Sequence, residues 1–184
     1  MIARPPIDRA PRVLLDLDFS QGEPLVVGSA GQGSATGQAF SANDLRDFTL
    51  DAEVGLVEGG EQDRYGLFFR QTGDEHYAAC TINPGGKLAV GLVDGGPPLV
   101  VAEATLDDTT QFRSGIGAVN RVSVVVCGPT AACLVNGVAV VGVILDSRYT
   151  TGRVGALVVH TSPASAARVV VNWAQARAIF TDAT

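Results

Sequence analysis

The sequence predicts an all-β protein, a two-sheet antiparallel sandwich of about twelve strands, and three observations support this. Short runs rich in Val, Leu and Ala recur about every 8–12 residues, a spacing typical of sandwiches. Turn-forming residues, 22 Gly and 9 Pro, separate these runs. No long stretch has the apolar period of 3.6 residues that marks a helix. A length of 184 residues fits one domain.

The N-terminal residues 1–12 differ from the rest of the chain. They hold three prolines and three arginines and lack the apolar core of a signal peptide. We expect 1–12 to be a linker or disordered arm and 13–180 to be the single folded domain.

The first part of the domain contains two predicted strands, a loop and one strongly patterned strand. In order these are a strand over 13–19, a loop over 20–34 around an apolar patch at 25–27, a short strand over 35–40, and a strand over 47–57. The last has the cleanest alternation in the chain: Phe48, Leu50, Ala52, Val54 and Leu56 share one face. Such a strand is buried on one side and solvated on the other.

Four further strands are predicted before a long polar loop. They cover 65–70, 76–82, 87–93 and 99–103, and the loop covers 104–119. In the first of them, Tyr65, Leu67 and Phe69 fall on one face. Gly/Pro-rich turns at 83–86 and 94–98 favour antiparallel hairpins between neighbours.

The stretch 120–145 predicts a three-stranded meander. Asn136-Gly137 between two β-rich runs is a strong hairpin signal, because a type I′ turn needs positive φ at both central residues. Gly128-Pro129-Thr130 forms the turn before it. Strands over 153–159 and 167–179 complete the domain, and broken alternation near Asn172-Trp173 predicts a bulge there.

Charge and composition exclude several partner classes. The net charge is −6 and the chain has one Lys, so there is no basic stripe for nucleic acid or anionic membranes. No apolar run approaches the ~20 residues of a membrane span, so we expect no membrane insertion. The Gly-rich stretch 28–33 has no following Lys-Ser/Thr and is interpreted as a plain loop.

Several segments, in order and spacing, resemble the concanavalin A-like lectin/glucanase superfamily, in a bacterial branch near laminin-G-like and 3-keto-disaccharide-hydrolase-like domains. The segments are Asp47-Phe48-Thr49-Leu50, Tyr65-Gly66-Leu67-Phe68-Phe69-Arg70, His76-Tyr77, Asn120-Arg121-Val122, Leu134-Val135-Asn136-Gly137, Gly152-Arg153-Val154-Gly155 and Asn172-Trp173. The resemblance covers residues 13–179.

The resemblance implies a jelly-roll sandwich whose concave face often binds glycans. We therefore expect a non-catalytic binding or adhesion-type module, with a glycan or a protein as its partner, within a larger exported bacterial protein. Two alternatives stay open: a glucanase-type glycoside hydrolase, and a purely structural or protein-interaction domain.

The hydrolase alternative depends on Asp51 and Glu53. Glucanases in this superfamily carry E-x-D-x-x-E on a strand, and a retaining mechanism needs two carboxylates about 5–5.5 Å apart. Asp51 and Glu53 share a face at about 7 Å. The third carboxylate is absent, because position 56 is Leu. A solvated outer face is the favoured interpretation of this pair.

The candidate ligand-binding residues are Tyr65, Arg70, Tyr77 and Tyr149, since aromatic rings stack on sugar C–H surfaces. Tyr77 is the strongest of them because it alternates away from the apolar face of its strand.

No cofactor is expected, apart from a structural Ca²⁺ for which Asp63, Asp74 and Glu75 are the candidate ligands. Their hard oxygen atoms suit that ion, although no continuous ligand loop is visible. His76 and His160 lack a second ligand at i+2 or i+4 and are interpreted as surface or loop residues.

Two cysteines, Cys127 and Cys133, flank the Gly128–Ala132 turn. Opposite positions of a hairpin bring Cβ atoms within disulfide range, so we favour a Cys127–Cys133 disulfide and an oxidising compartment. The alternative is two reduced, buried thiols. Cys80 is expected to be a core thiol.

Overall fold

The computed structural model describes residues 12–19, 23–29, 31–164 and 166–179. These residues form two stacked antiparallel sheets and one 3₁₀ turn, Asp108–Thr110. The strands are β1 (Val13–Asp18), β2 (Leu25–Ser29), β3 (Ser34–Ala39), β4 (Phe48–Glu58), β5 (Arg64–Gly73), β6 (His76–Ile82), β7 (Lys87–Asp94), β8 (Leu99–Thr105), β9 (Val119–Cys127), β10 (Thr130–Val135), β11 (Val138–Ile144), β12 (Arg153–His160) and β13 (Ala167–Ala178).

The predicted all-β sandwich is confirmed. One sheet has seven strands in the order β1-β13-β4-β9-β10-β11, and β2 also pairs with β13. The other has six strands in the order β3-β12-β5-β6-β7-β8. The strand β13 is long enough to pair with β2 through residues 167–171 and with β1 through residues 173–177.

The core lies between the sheets, and alternate residues of each strand point into it. All five apolar residues of the inward face of β4, from Phe48 to Leu56, are fully buried. Tyr65, Leu67 and Phe69 of β5 meet them from the other sheet. Burying each large side chain stabilises the fold by about 1.5–3 kcal/mol.

The meander 120–145 folds as predicted. Asn136 has φ 50° and Gly137 has φ 86°, the two positive values that a type I′ turn needs, and Val135 pairs with Val138 across it. Gly128 has φ 54° in the two-residue turn between β9 and β10. The pairing register is irregular between Val171 and Trp173, which confirms the predicted bulge.

The strand count is thirteen rather than about twelve. The apolar patch at 25–27, expected inside a loop, is part of β2. Among the residues that the structure describes, its five residues pair with β13 alone, a partner about 140 residues away that no local pattern reveals. Most of the predicted linker, residues 1–11, and Phe180 lie outside the described residues. Within the described part of the chain, no helix has the length and hydropathy needed to cross a bilayer.

Candidate functional site

A row of depressions, called here the outer groove, lies over the face of the six-stranded sheet that points away from the core. Because successive side chains of a strand point to opposite faces, Phe68 of β5, Ala79 of β6 and Leu157 of β12 lie on this outer face. They form a small apolar cluster there. Three adjoining depressions follow one another along the sheet. The first two share Tyr77 and Leu157, and the second and third share Arg64. The groove therefore has a middle and two ends.

The middle of the outer groove is apolar and shallow, with a volume of about 100 Å³. Its lining is mostly small and aliphatic: Ala35, Ala79, Ala89, Gly91, Val93, Pro98, Val100, Leu157 and Val159. The edge strand β8 adds an exposed apolar side chain to this lining, since Val100 is 50% exposed. A contiguous apolar strip at a surface is typical of a binding face.

The aromatic group of the groove that reaches the surface is Tyr77. Its ring meets Phe68 edge to face, with centroids 6.2 Å apart, and its side chain is half-buried. Partial burial raises the pKa of Tyr77. Phe68 itself packs against the backbone of β12, where a Cβ at Gly155 would lie 2.4 Å from the ring. Phe68 therefore forms part of the floor of the outer groove, and Tyr77 is the ring available to a ligand.

The two ends of the outer groove are polar. The first end, of about 380 Å³, contains Thr36, Gln71 and Asp74 beside Tyr77. The second end, of about 350 Å³, is lined by Glu61, Gln62, Arg64, Asn83, Gly85, Lys87 and Glu103. Both ends offer hydrogen-bond donors and acceptors, while the middle offers apolar contact.

The side chain of Asn83 organises the second end. Its Oδ1 accepts a hydrogen bond from the Lys87 backbone N–H at 2.8 Å, and its Nδ2 donates to the Glu61 carbonyl at 3.2 Å. Nη2 of Arg64 lies 3.6 Å from Oε1 of Glu103, beyond hydrogen-bond distance. The arginine is thus attracted to Glu103 without being fixed by it.

Three of the four predicted ligand-binding residues are buried, and their assignment is wrong. Tyr65 is 0% exposed in the core, and burial raises its pKa to about 12. Tyr149 is 1% exposed, stacks on His76 with centroids 4.4 Å apart, and donates to the Val93 carbonyl. These rings pack between structural elements and leave almost no surface for a ligand.

Arg70, the third of these buried residues, is a structural clamp. Arg70 is 1% exposed, and its guanidinium donates hydrogen bonds to the carbonyls of Arg46, Gly128 and Tyr149. Asp47 lies 3.9 Å from the guanidinium. Burial lowers the pKa of Arg70, and the Asp47 charge opposes that shift. The arginine therefore ties three separate loops to the end of β5.

Asp51 and Glu53 share the outer face of β4, as expected, but both are engaged by neighbours. Oδ1 of Asp51 accepts from Arg121 at 2.8 Å and from Ser123 at 2.5 Å. The two Glu53 oxygens accept from Asn172 at 2.9 Å and Trp173 at 3.0 Å. Asp51 is only 6% exposed, so the expectation of a solvated face is wrong at that position.

This carboxylate network links three strands of the seven-stranded sheet. The Arg121 guanidinium also lies 5.7 Å from the Trp173 ring centroid, a cation–π contact. Through these contacts Asp51 links β4 to β9, and Glu53 links β4 to β13. They do not favour the free carboxylate pair that a retaining hydrolase needs.

Asp63 is the most strongly tethered carboxylate of the described residues. It is 0% exposed, and its oxygens accept from the backbone N–H groups of Gly60, Thr161 and Ser162 at 2.7–2.8 Å. Burial raises the pKa of Asp63, but these hydrogen bonds outweigh it and lower the pKa to about 2. His160, predicted at the surface or in a loop, is also 0% exposed, and its Nδ1 lies 3.2 Å from Asp63.

The structure does not bring the three candidate calcium ligands together. Asp63 lies before β5, whereas Asp74 and Glu75 form the turn after it. Within the described residues, no group of three or more His, Cys, Asp or Glu side chains is placed to hold a metal ion. Asp63 instead joins the loop before β5 to the loop after β12.

The predicted Cys127–Cys133 disulfide is wrong. The tight turn pairs Cys127 with Thr130, and Cys133 pairs with Val124, so the two cysteines lie on opposite faces of the hairpin. Cys127 is exposed and Cys133 is buried, and both are free thiols. Cys133 instead neighbours Cys80, whose pKa is raised by burial and by that second thiol.

Sequence reasoning missed the residues that shape the outer groove, above all Phe68, Arg64 and Leu157. One signal was present in the strand 65–70, where Phe68 is apolar on the face opposite Tyr65, Leu67 and Phe69. An apolar side chain on the outer face indicates that this face is covered or concave. The pattern cannot say which strands lie beside it.

No protein-family model and no curated protein matches the sequence. Solved structures do match the fold. A carbohydrate-binding module, CBM66, from Bacillus subtilis has a TM-score of 0.64 and 16% identity over 89% of each chain. A Bacillus subtilis protein of unknown function with a galectin-like fold has a TM-score of 0.63 and 9% identity, covering 88% of this chain and 85% of its own.

The catalytic domain of an endo-1,3-β-glucanase (laminarinase) from Thermotoga petrophila is also similar. Its TM-score is 0.55 at 8% identity, and the match covers 83% of this chain and 75% of that one. At such identities the likeness establishes the fold alone. The chain therefore has the concanavalin A-like jelly-roll fold, as the sequence motifs indicated.

Proposed function

We propose that this domain is a non-catalytic module that binds a glycan in the outer groove. The observation that carries the proposal is the position of Tyr77, a half-buried ring at the surface between an apolar strip and a polar end. A sugar ring has apolar C–H faces and a rim of hydroxyls. An aromatic face beside mixed donors and acceptors complements both surfaces.

The similarity to CBM66 supports this proposal at the level of fold, since that structure is described as a carbohydrate-binding module. The contacts of Asp51 and Glu53 support the non-catalytic part, because both carboxylates are held by neighbouring side chains.

The test is a binding assay on soluble β-glucans, xylan, mannan and fructan, with polygalacturonate as the acidic comparison. Tyr77→Ala should weaken binding to the recognised glycan about tenfold, which corresponds to ~1.4 kcal/mol. Tyr77→Phe should keep most of the affinity. Val57→Ser, on the exposed face of the other sheet, is the distal control.

Two results would oppose the proposal. Equal binding by Tyr77→Ala and the parent protein would place the ligand elsewhere. Release of reducing sugars by the parent protein, lost in Asp51→Asn and Glu53→Gln, would make the domain a hydrolase.

The proposal extends to location: a module of a larger exported protein. The resemblance to exported bacterial domains supports it, whereas the three free thiols remove the support that a disulfide would have added. Fractionation of the native cells, with detection of this domain by antibody, tests it. Recovery in the cytosolic fraction would overturn it.

A further inference from the structure

The second polar end of the outer groove has a donor that the protein leaves unused. Nη1 of Arg64 is buried and has no hydrogen-bond partner among the residues the structure describes. The same side chain lines both the apolar middle and the second end. A buried donor without a partner is costly, so an acceptor brought by a ligand would stabilise this arginine.

No hydrogen bond to its charge partner holds the Arg64 guanidinium in place. Its charge partner Glu103 is 63% exposed and 3.6 Å away, which is too far for a hydrogen bond. The pocket around it is preorganised by Asn83, which is held at both ends of its amide. An unpaired guanidinium donor beside a fixed amide suits the recognition of a hydroxyl or ring oxygen.

The two polar ends are far apart. Arg64 and Gln71 belong to the two ends and are seven residues apart on β5. At about 3.3 Å per residue, the ends are separated by roughly 20 Å. A single sugar ring cannot reach both, but a chain of several rings lying along β5 and β6 can.

Charge argues for an uncharged chain. The three depressions of the outer groove contain three carboxylates, Glu61, Asp74 and Glu103, against two cations, Arg64 and Lys87. The whole protein carries a net charge of −6. A polyanion would be repelled on approach, whereas neutral hydroxyls can use both the donors and the acceptors.

We propose that the second polar end, around Arg64, is a further sugar subsite and that the ligand is an extended, uncharged glycan chain occupying both ends of the outer groove at once. This inference rests on the proposed function and specifies its ligand class.

The test is calorimetry with a ladder of oligosaccharides, from two to six units, cut from whichever neutral polymer of the panel binds. Affinity should rise at least tenfold along the ladder. Arg64→Gln should weaken hexasaccharide binding about tenfold and leave disaccharide binding at the Tyr77 end unchanged. The matched control is Arg168→Gln, which removes another surface arginine paired with a glutamate, Glu58, on the opposite sheet.

The outcomes separate the two proposals. Affinity that is independent of chain length, or equal losses for both ligands in Arg64→Gln, would overturn the second subsite while leaving Tyr77 as a binding residue. Preferential binding of polygalacturonate would overturn the uncharged ligand. Absence of binding to every glycan of the panel would overturn this inference together with the proposed function.

Discussion

Removing the charge of Asp63 should destabilise the fold in a manner that depends on pH. The pKa of this carboxyl is lowered from 3.8 to about 2 by its hydrogen bonds, against the opposing effect of burial. Each pKa unit corresponds to about 1.36 kcal/mol, so the shift represents about 2 kcal/mol of folding free energy. The residue is 0% exposed, so solvent screens its charge less than that of a surface carboxylate.

The sign follows from proton binding. The folded-state pKa is the lower one, so the unfolded chain binds more protons between about pH 2 and pH 4. The contribution of Asp63 to stability is therefore complete above about pH 5 and is lost as the pH falls toward 2.

The assay is urea unfolding of the parent protein and Asp63→Asn at several pH values from 2 to 6. The variant should lose about 2–4 kcal/mol at pH 6, because its amide nitrogen would face either the Gly60 N–H or the backbone donors of Thr161 and Ser162. The difference should shrink by about 2 kcal/mol at pH 2. Asp74→Asn, at an exposed turn, should stay within about 0.5 kcal/mol of the parent protein.

A difference between parent and variant that is constant from pH 6 to pH 2 would refute this reasoning. If Asp63→Asn does not fold, NMR titration of the parent protein provides the second measurement. A carboxyl that titrates near 3.8 instead of about 2 would contradict the structure-based value.

Four further predictions concern turns, clamps and thiols. Gly137→Ala should cost about 1–2 kcal/mol in urea unfolding, because Gly137 has φ 86°, while Gly96→Ala, with open space around its Cβ, should be nearly neutral; equal effects would contradict the I′ turn. Arg70→Met should lower the free energy of unfolding by about 3 kcal/mol, because three carbonyls lose their donor, and an unchanged urea midpoint would show that the clamp is dispensable. Gly66→Ala should prevent folding, as judged by circular dichroism, because its Cβ would lie 2.1 Å from the Cys80 carbonyl oxygen; a native spectrum would be incompatible with this strand spacing. Thiol titration should label Cys127 alone in the native protein and all three cysteines after unfolding, and a native protein without any reactive thiol would restore the disulfide hypothesis.

The local turn chemistry and the inward faces of the strands were predictable. Between two β-rich runs, Asn136-Gly137 favours one turn conformation, type I′. The alternation from Phe48 to Leu56 places all the apolar side chains on one face of the strand, so only that face is buried. Such features depend on neighbours within about ten residues. The strand β2 was missed because it pairs with the distant β13, which no local pattern indicates.

Of the four ligand-binding residues predicted from the sequence, only Tyr77 lies in the outer groove. Tyr77 alternates away from the buried face of β6, so its position followed from period two. Arg70 and Tyr149 have polar groups that could lie at a surface. Both are buried because loops that are distant in the sequence pack around them after folding. The prediction of a Cys127–Cys133 disulfide was wrong because the two-residue turn places Cys127 opposite Thr130. The number of residues between the two cysteines does not reveal this register.

The fold class, the inward faces and the tight reversals follow from the amino-acid order alone, because alternate burial along a strand and positive-φ turns are local requirements. Which outward residues meet depends on tertiary packing. It alone joined Phe68, Tyr77 and Leu157 into a groove with Arg64 at one end, because these residues lie on strands whose order in the sheet is set by packing between distant segments. A binding face is built across strands, whereas sequence patterns describe each strand separately.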